Sequence, residues 1–352
     1  MTRIKLTDVA REAGVHPSTA SRALNPATRD QVGRSAARRV LQAAERLGYV
    51  PNTLARGLRT ARSFVVAMVV PDITNPLFPP MVRGAEQVLS RSDYTLVLTD
   101  TDNDAATERR HVESMRARGA DGFIVATARW HDELLDELAA SGVPAVLVNR
   151  RTSNGRLPYI GADDRAGIQL AVDHLVGLGH RHIAHLAGPA DTSTGRERAH
   201  AFRQAVAAHG LPVPAHSVKV CSTYSESAGH DVARRFLSAA PNFTAMVAGN
   251  DLIALGALAA LAEAGLKCPD DMSVIGFNDL PLVDRLTPPM TTVRIPLHHM
   301  GALAAQILLA EMSGRANAVP VQSLLAVDLV VRGTTGVAPV VSRAPVRARA
   351  AR

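Results

Sequence analysis

The sequence predicts a small all-α head followed by a larger α/β body made of two parallel-sheet lobes. Three features predict it. Basic charge is segregated into the first sixty residues, the apolar positions there recur at helical spacing around a glycine, and from Ser63 onward short apolar runs alternate with amphipathic ones. The chain has 352 residues, 47% apolar and 20% charged, enough for two or three domains with real cores.

Residues 1 to 60 hold eleven Lys/Arg against four acids, a local net of +7 that equals the net charge of the whole chain. Residues 336 to 352 add four arginines and no acid, so the stretch between carries 24 basic and 28 acidic residues. A basic head on a mildly acidic body is the charge distribution of a phosphate-binding module joined to a separate domain, because Lys and Arg placed on phosphates release counterions. A merely solvated basic segment would give the same count.

Within the head, Leu6, Val9, Ala10 and Ala13 share a helical face, with Asp8 near the positive end of the dipole, and Gly14 ends the run. After Gly14-Val15-His16, Pro17 opens a second helical run to Leu24, a position that suits proline. Two short helices around a glycine turn form a helix-turn-helix pattern. A third run, about 35 to 47, puts Val40, Leu41, Ala44 and Leu47 on one face and Arg38, Arg39 and Arg46 off it, so three helices share one small core.

In the body, FVVAMVVPD, YTLVLTD, GFIVAT and PAVLVN read as strands, separated by helical runs near 79–90, 105–118 and 132–140. The pattern resumes with a helix near 164–178, HIAHLAGP, helices near 197–209 and 227–239, AMVAGND, a helix near 253–264 and SVIGFND. Such alternation means parallel sheets, here two of them and hence two lobes. Ligands of open α/β sheets bind beyond the carboxyl ends of strands, where this chain places PDITNP, Asn149-Arg150, the segment 192–198, Tyr224, Gly249-Asn250-Asp251 and Phe277-Asn278-Asp279. Amides, carboxylates and an arginine around one cleft suit a hydroxylated ligand, with Phe78 or Tyr224 available to stack on a ring.

Other chemistries lack their residues. Aromatics make up 3%, a poor supply for base-stacking platforms, and Cys221 and Cys268 form no C-x-x-C pair, which argues against a disulfide framework or a structural zinc and suits a reducing cytoplasm. The N-terminal MTRIKLTDVAREAG has no apolar core, so no secretory signal is expected, and Asn250 and Asp251 interrupt the most apolar stretch, so no membrane span is expected. Neither a Walker loop, a G-x-S-x-G elbow nor H-E-x-x-H occurs, so the expectation is a non-enzyme without cofactor or metal. Asp100, Asp102 and Asp104 begin a calcium-loop pattern that fails at Ala105 and His111; His180, His182 and His185 read as structural; and the arginine-rich end lacks leucine heptads.

DVAREAGVHPSTASRALN, then AAERLGYVPNTLARGLRT, then this α/β body resemble the LacI/GalR (lactose-repressor) family of bacterial transcription regulators over residues 3 to 335. The resemblance implies a periplasmic-binding-protein-like core and a second helix lying in the DNA major groove. It places Pro17, Ser18 and Arg22 at base edges, Arg22 toward guanine, and Thr19, Ser21 and Asn25 at phosphates or in caps, where Thr19 and Ser21 could equally serve the backbone alone. His16 replaces the serine usual before this helix, about two extra residues lie between 25 and 33, and Ala36-Ala37 replace Thr-Arg, which passes a phosphate contact to Arg34 or Arg38.

Residues 51–60 read as a linker holding a helix of barely two turns, capped by Asn52 and weakened by Gly57 by about 1 kcal/mol relative to alanine. By the resemblance it lies in the minor groove with Ala55 near the floor, Arg56 near phosphate and Leu58 wedged into the central base step; Leu54 and Leu58 packing on the body is the other reading. Leu58→Ala is then expected to weaken specific DNA binding and spare ligand binding.

The implied division is a head at 1–50, the linker at 51–60, a core at 61–335 and a basic tail at 336–352. Family topology would assign 61–162 and 291–320 to lobe one and 163–290 and 321–335 to lobe two, with three crossings between them. Asp72, Phe78, Asn149, Thr194, Arg198, Tyr224, Asn250 and Asn278 fall at the effector positions, Asn278 where an aspartate is usual; Asp72 as a turn cap and Asn250 as a helix cap are alternatives. The implied protein is a cytoplasmic homodimeric repressor of sugar genes, released from a palindromic operator by a small sugar, or else one corepressed by a purine-like effector. A solute-binding protein without regulation would lack the basic head.

Overall fold

A computed structural model describes residues 4–24, 28–49, 62–239, 242–315 and 320–339. The chain forms two compact units, residues 1–63 and 64–352. In the first, α1 (Leu6–Glu12) begins where Asp8 accepts the Lys5 backbone N–H at 2.9 Å, and it is closed by Gly14 at φ +63. Helix α2 is Pro17–Leu24, and α3 (Arg34–Leu47) ends on Gly48, also left-handed. Val9, Ala10, Ala20, Ala23, Val40, Ala43 and Ala44 are the common core of the three helices. Leu41, expected on the buried face of α3, is 38% exposed; the inward stripe runs through Ala37, Val40 and Ala44 instead.

The second unit follows the chain as β1 (Val65–Val70), α4 (Phe78–Ser90), β2 (Thr95–Asp100), α5 (Ala105–Ala117), β3 (Gly122–Val125), α6 (Glu133–Ala140), β4 (Ala145–Val148) and β5 (Tyr159–Ala162). Next come α7 (Asp164–Gly177), β6 (Ile183–Ala187), α8 (Ser193–Ala208), β7 (Val218–Val220), α9 (Glu226–Ala239), β8 (Ala245–Ala248), α10 (Asp251–Glu263), β9 (Ser273–Asn278) and β10 (Thr291–Arg294). The described chain finishes with α11 (Leu297–Met312), β11 (Gln322–Leu325) and β12 (Asp328–Val330). One sheet has the order β11-β5-β4-β3-β1-β2 and is parallel throughout; the other is β12-β10-β9-β8-β6-β7, with only β12 antiparallel. Both have strands buried on two faces, as sheets flanked by helices require.

The lobe boundaries differ from those expected. Strand β10 pairs with β9 in the second sheet, and β11 pairs with β5 in the first, so the crossings fall near 163, 295 and 326. There are three of them, as expected, but lobe one takes α11 and β11 and lobe two takes β10 and β12. Helix α11 is fixed on α4 at two glycines: a Cβ on Gly84 would lie 2.0 Å from the His298 carbonyl, and one on Gly301 1.9 Å from that of Met81. Of the basic tail, residues 336–339 are described; the linker at 51–60 lies outside the described residues.

Candidate functional site

In the head, the second helix exposes Ser18 and Arg22 and half-buries Pro17, Thr19 and Ser21. His16 caps this helix in place of a serine, since its Nδ1 accepts the Ser18 amide at 3.3 Å and lies 2.8 Å from the Ser18 hydroxyl. Several arginines are committed to helix ends, where cations complement the dipole: Arg29 Nε donates to the Ala23 carbonyl and Arg39 Nε to that of Ala13, each at 3.1 Å. Arg46 pairs with Glu12 at 3.2 Å. Among the described residues Arg22, Arg34 and Arg38 have no acidic partner and all three are exposed; Arg22 Nε donates to the Ser18 carbonyl at 3.4 Å. Asn25, Asn52, Ala55, Arg56 and Leu58 lie outside the described residues.

In the second unit, the carboxyl ends of both sheets bound a cleft. From the first sheet come Asn75, Leu77 and Phe78, after β1, and Asn149 and Arg150, after β4. The second sheet supplies Thr194 and Arg198 from the first turns of α8, Tyr224 after β7, Asn250 after β8 and Asn278 at the end of β9. Seven of the eight effector residues read from the sequence are thereby brought together.

Asp72 is the exception. Its Oδ1 accepts the Thr74 amide at 2.8 Å and the Thr74 hydroxyl at 2.6 Å, so the carboxylate closes the turn after β1 and is absent from the cleft lining. Asn250 caps α10 through its Oδ1, 2.8 Å from the Ile253 amide, and still borders the cleft. Asn75, Leu77 and Arg150 line the cleft without having been read as effector residues, although Asn75 lies in PDITNP and Arg150 follows Asn149. No periodicity marks them; the signal is their place just past a strand end.

Local backbone and packing hold these groups. Asn149 has φ +67, a left-handed conformation that asparagine tolerates better than most residues, and Asn278 has φ +121, a strained value for any residue with a side chain. Tyr224 reaches Thr194 with 2.8 Å between hydroxyls, and it lies over Gly188, where a Cβ would fall 2.2 Å from its ring. Arg198 is the most tightly held. Its Nε and Nη2 donate to Asp164 Oδ1 at 2.8 Å each, Nη1 donates to the Gly249 carbonyl, and the guanidinium lies 3.7 Å over the Phe277 ring. Burial outweighs the attraction of Arg198 and pushes the Asp164 carboxyl up to about 6. At the neighbouring strand end, burial pushes Asp251 up to about 6 while it accepts the Leu280 amide and the Thr292 hydroxyl.

A clasp joins the two lobes beside the cleft. Trp130 donates its backbone N–H to the Asp191 carbonyl at 2.7 Å, and its ring is in contact with the guanidinium groups of Arg151 and Arg196, at 5.3 and 5.1 Å. Arg151 pairs with Glu197 at 2.6 Å and donates its backbone N–H to Ser193 Oγ. His180 and His185 are buried in ordinary hydrogen bonds, to Thr244 and Ser273 and to the Val247 carbonyl, and among the described residues no His, Cys, Asp and Glu group is arranged to hold a metal ion. No helix of the described residues is long and apolar enough to cross a membrane.

A helix-turn-helix unit with unpaired arginines and a two-sheet core with a polar cleft define a ligand-responsive DNA-binding regulator. Residues 5–52 match the model of bacterial regulatory proteins of the lacI family, and residues 172–335 match the periplasmic binding protein-like domain. The ribose operon repressor of Halalkalibacterium halodurans is 31% identical over 312 residues, 89% of this chain and 91% of that protein. Similar solved structures include a transcriptional regulator CelR-cellobiose complex, with TM-score 0.73 at 30% identity, and the lac repressor dimer bound to operator and the anti-inducer ONPF, with TM-score 0.82 at 26% identity. They cover 94% and 95% of this chain, and the whole of their own chains is spanned. The chain belongs to the lacI family of bacterial transcriptional regulators.

Proposed function

We propose that this regulator is a homodimeric repressor of sugar uptake or catabolism genes, released from a palindromic operator when a sugar-like inducer fills the cleft. The observation that carries the reading is the cleft itself, where amides, hydroxyls and guanidinium groups from both sheets converge with Phe78 and Tyr224 alongside. A ligand touching both lobes stabilises one angle between them, and the Trp130 clasp lies where that angle is set. The repressors of ribose operons and the cellobiose complex among similar proteins favour a sugar over a purine-like corepressor. On the DNA side, Arg22 reads base edges with Pro17 and Ser18, while Thr19, Ser21, Arg34 and Arg38 fix the register on phosphates. Two copies related by a two-fold axis read two half-sites.

Linkage ties the two events: an inducer that weakens operator binding by some factor is itself bound more weakly, by the same factor, when operator is present. Mobility-shift titrations of a selected operator duplex with a panel of neutral and acidic sugars and nucleobases test this. Release by one sugar supports the reading. Tightening by a nucleobase, or indifference to every compound, contradicts it.

A further inference from the structure

The charge in the cleft does not balance. Two arginines line it and no carboxylate does. Arg198 has its counter-charge in Asp164, directly behind it. Arg150 has none: it is 8% exposed, its Nε has no hydrogen-bond partner, and among the described residues its guanidinium makes neither an ion pair nor a hydrogen bond. Its neighbour is the Tyr224 ring, 5.5 Å from the guanidinium carbon. The two carboxylates whose field reaches it, Glu108 and Asp191, face Arg129 instead, at 3.3 and 3.9 Å. Where acids could have balanced the site, at the ends of β4 and β9, the residues are Asn149 and Asn278.

A buried, unpaired guanidinium is costly to a folded protein, and an anion arriving from outside would relieve that cost. Burial pushes Arg150 below its ordinary pKa, yet an arginine keeps its proton, so it cannot shed the charge as a lysine would. A neutral sugar would satisfy hydrogen bonds and leave the charge standing. We propose that the effector carries an anionic group, a carboxylate or a phosphate, seated against Arg150, with its hydroxyls on the amides of Asn149, Asn250 and Asn278. This rests on the cleft being the effector site and narrows its occupant to acidic or phosphorylated sugars.

The test uses the full chain and, as first probe, inorganic phosphate against chloride at matched ionic strength, read by thermal denaturation and isothermal calorimetry. Phosphate is expected to raise the midpoint of the wild type, and Arg150→Met to weaken phosphate by roughly 30-fold. Arg150→Lys keeps the charge and is expected to keep a phosphate response, so misfolding of the Met variant would not decide the matter. Equal stabilisation of wild type and Arg150→Met, or none of either, overturns the anion site. Paired probes then separate it from the sugar reading: glucose, glucuronate and glucose 6-phosphate, with the galactose and ribose counterparts. Displacement of phosphate by an acidic or phosphorylated member, with its neutral parent much weaker, supports both. Tight binding of a neutral sugar with no phosphate site leaves the sugar reading and removes this one. A phosphate site that no sugar displaces does the reverse.

Discussion

Arg198→Met removes the cation that holds Asp164 inside the second lobe. The pair is buried on both sides, at 3% and 2% side-chain exposure, and breaking such a pair from one side costs about 3–5 kcal/mol. The loss has a defined pH dependence. In the wild type Asp164 titrates at about 6, above the roughly 3.9 of an unfolded aspartate, so the folded state holds a proton that the unfolded chain has released. Stability from this group is therefore full below about pH 4 and lost as pH rises through 6. Without Arg198 the carboxyl titrates higher still. The destabilisation of the variant relative to wild type then grows by about 1.4 kcal/mol per pH unit above 6 until the new pKa is passed, and shrinks toward pH 5. Trp130, the single tryptophan of the chain, belongs to the large unit, so urea unfolding followed by tryptophan fluorescence reads that unit alone. Adding Asp164→Asn to Arg198→Met should restore part of the stability at pH 7 and none at pH 5. A loss that is the same at both pH values, or a second substitution that destabilises further at pH 7, would refute the reasoning.

Further outcomes follow from other contacts. Arg22→Ala is expected to cost about 1–3 kcal/mol of specific operator binding, with little change on random DNA, by competition mobility shift. His16→Ala should lower the stability of the head by about 1 kcal/mol through loss of the cap on α2, measured on the full chain by hydrogen exchange of residues 17–24. Gly301→Ala should destabilise the large unit by about 1–3 kcal/mol or more, because its Cβ would meet the Met81 carbonyl of α4, and Gly84→Ala should do the same from the other side. Ligand closure of the cleft should change Trp130 fluorescence, and Arg196→Ala should reduce that change while leaving Arg150 and Arg198 in place.

The sequence is most informative where a single local preference decides the structure. Pro17 opening α2, Gly48 ending α3, and Asp104, Asp132, Asp163 and Asn250 capping their helices are each readable from the residue type. Helix α8, expected from Glu197, starts at Ser193, because Ser193 to Arg196 are polar and it is tertiary packing that buries Ser193, Thr194 and Gly195. Strand pairing is the least readable. Strands β10, β11 and β12 have three or four residues each, and nothing in so short a segment states which sheet it joins; that is settled by α11 lying against β3, β4 and β5. In the site, seven of the eight positions expected for the effector line the cleft, most of them implied by the family resemblance, whereas Asp72 goes to its own turn because Thr74 is two residues away. Arg150 is visible in the sequence, but its lack of a counter-charge is not, since that depends on Glu108 and Asp191 facing Arg129.

The most direct test of a ligand-responsive DNA-binding regulator is selection of bound duplexes from a random pool by the purified protein at stated salt, repeated with neutral and acidic sugars. The expected result is a two-fold symmetric sequence with a kinkable central step, whose recovery falls sharply with one sugar. Recovery of duplexes without common sequence, bound weakly and released by salt alone whatever sugar is present, would contradict it.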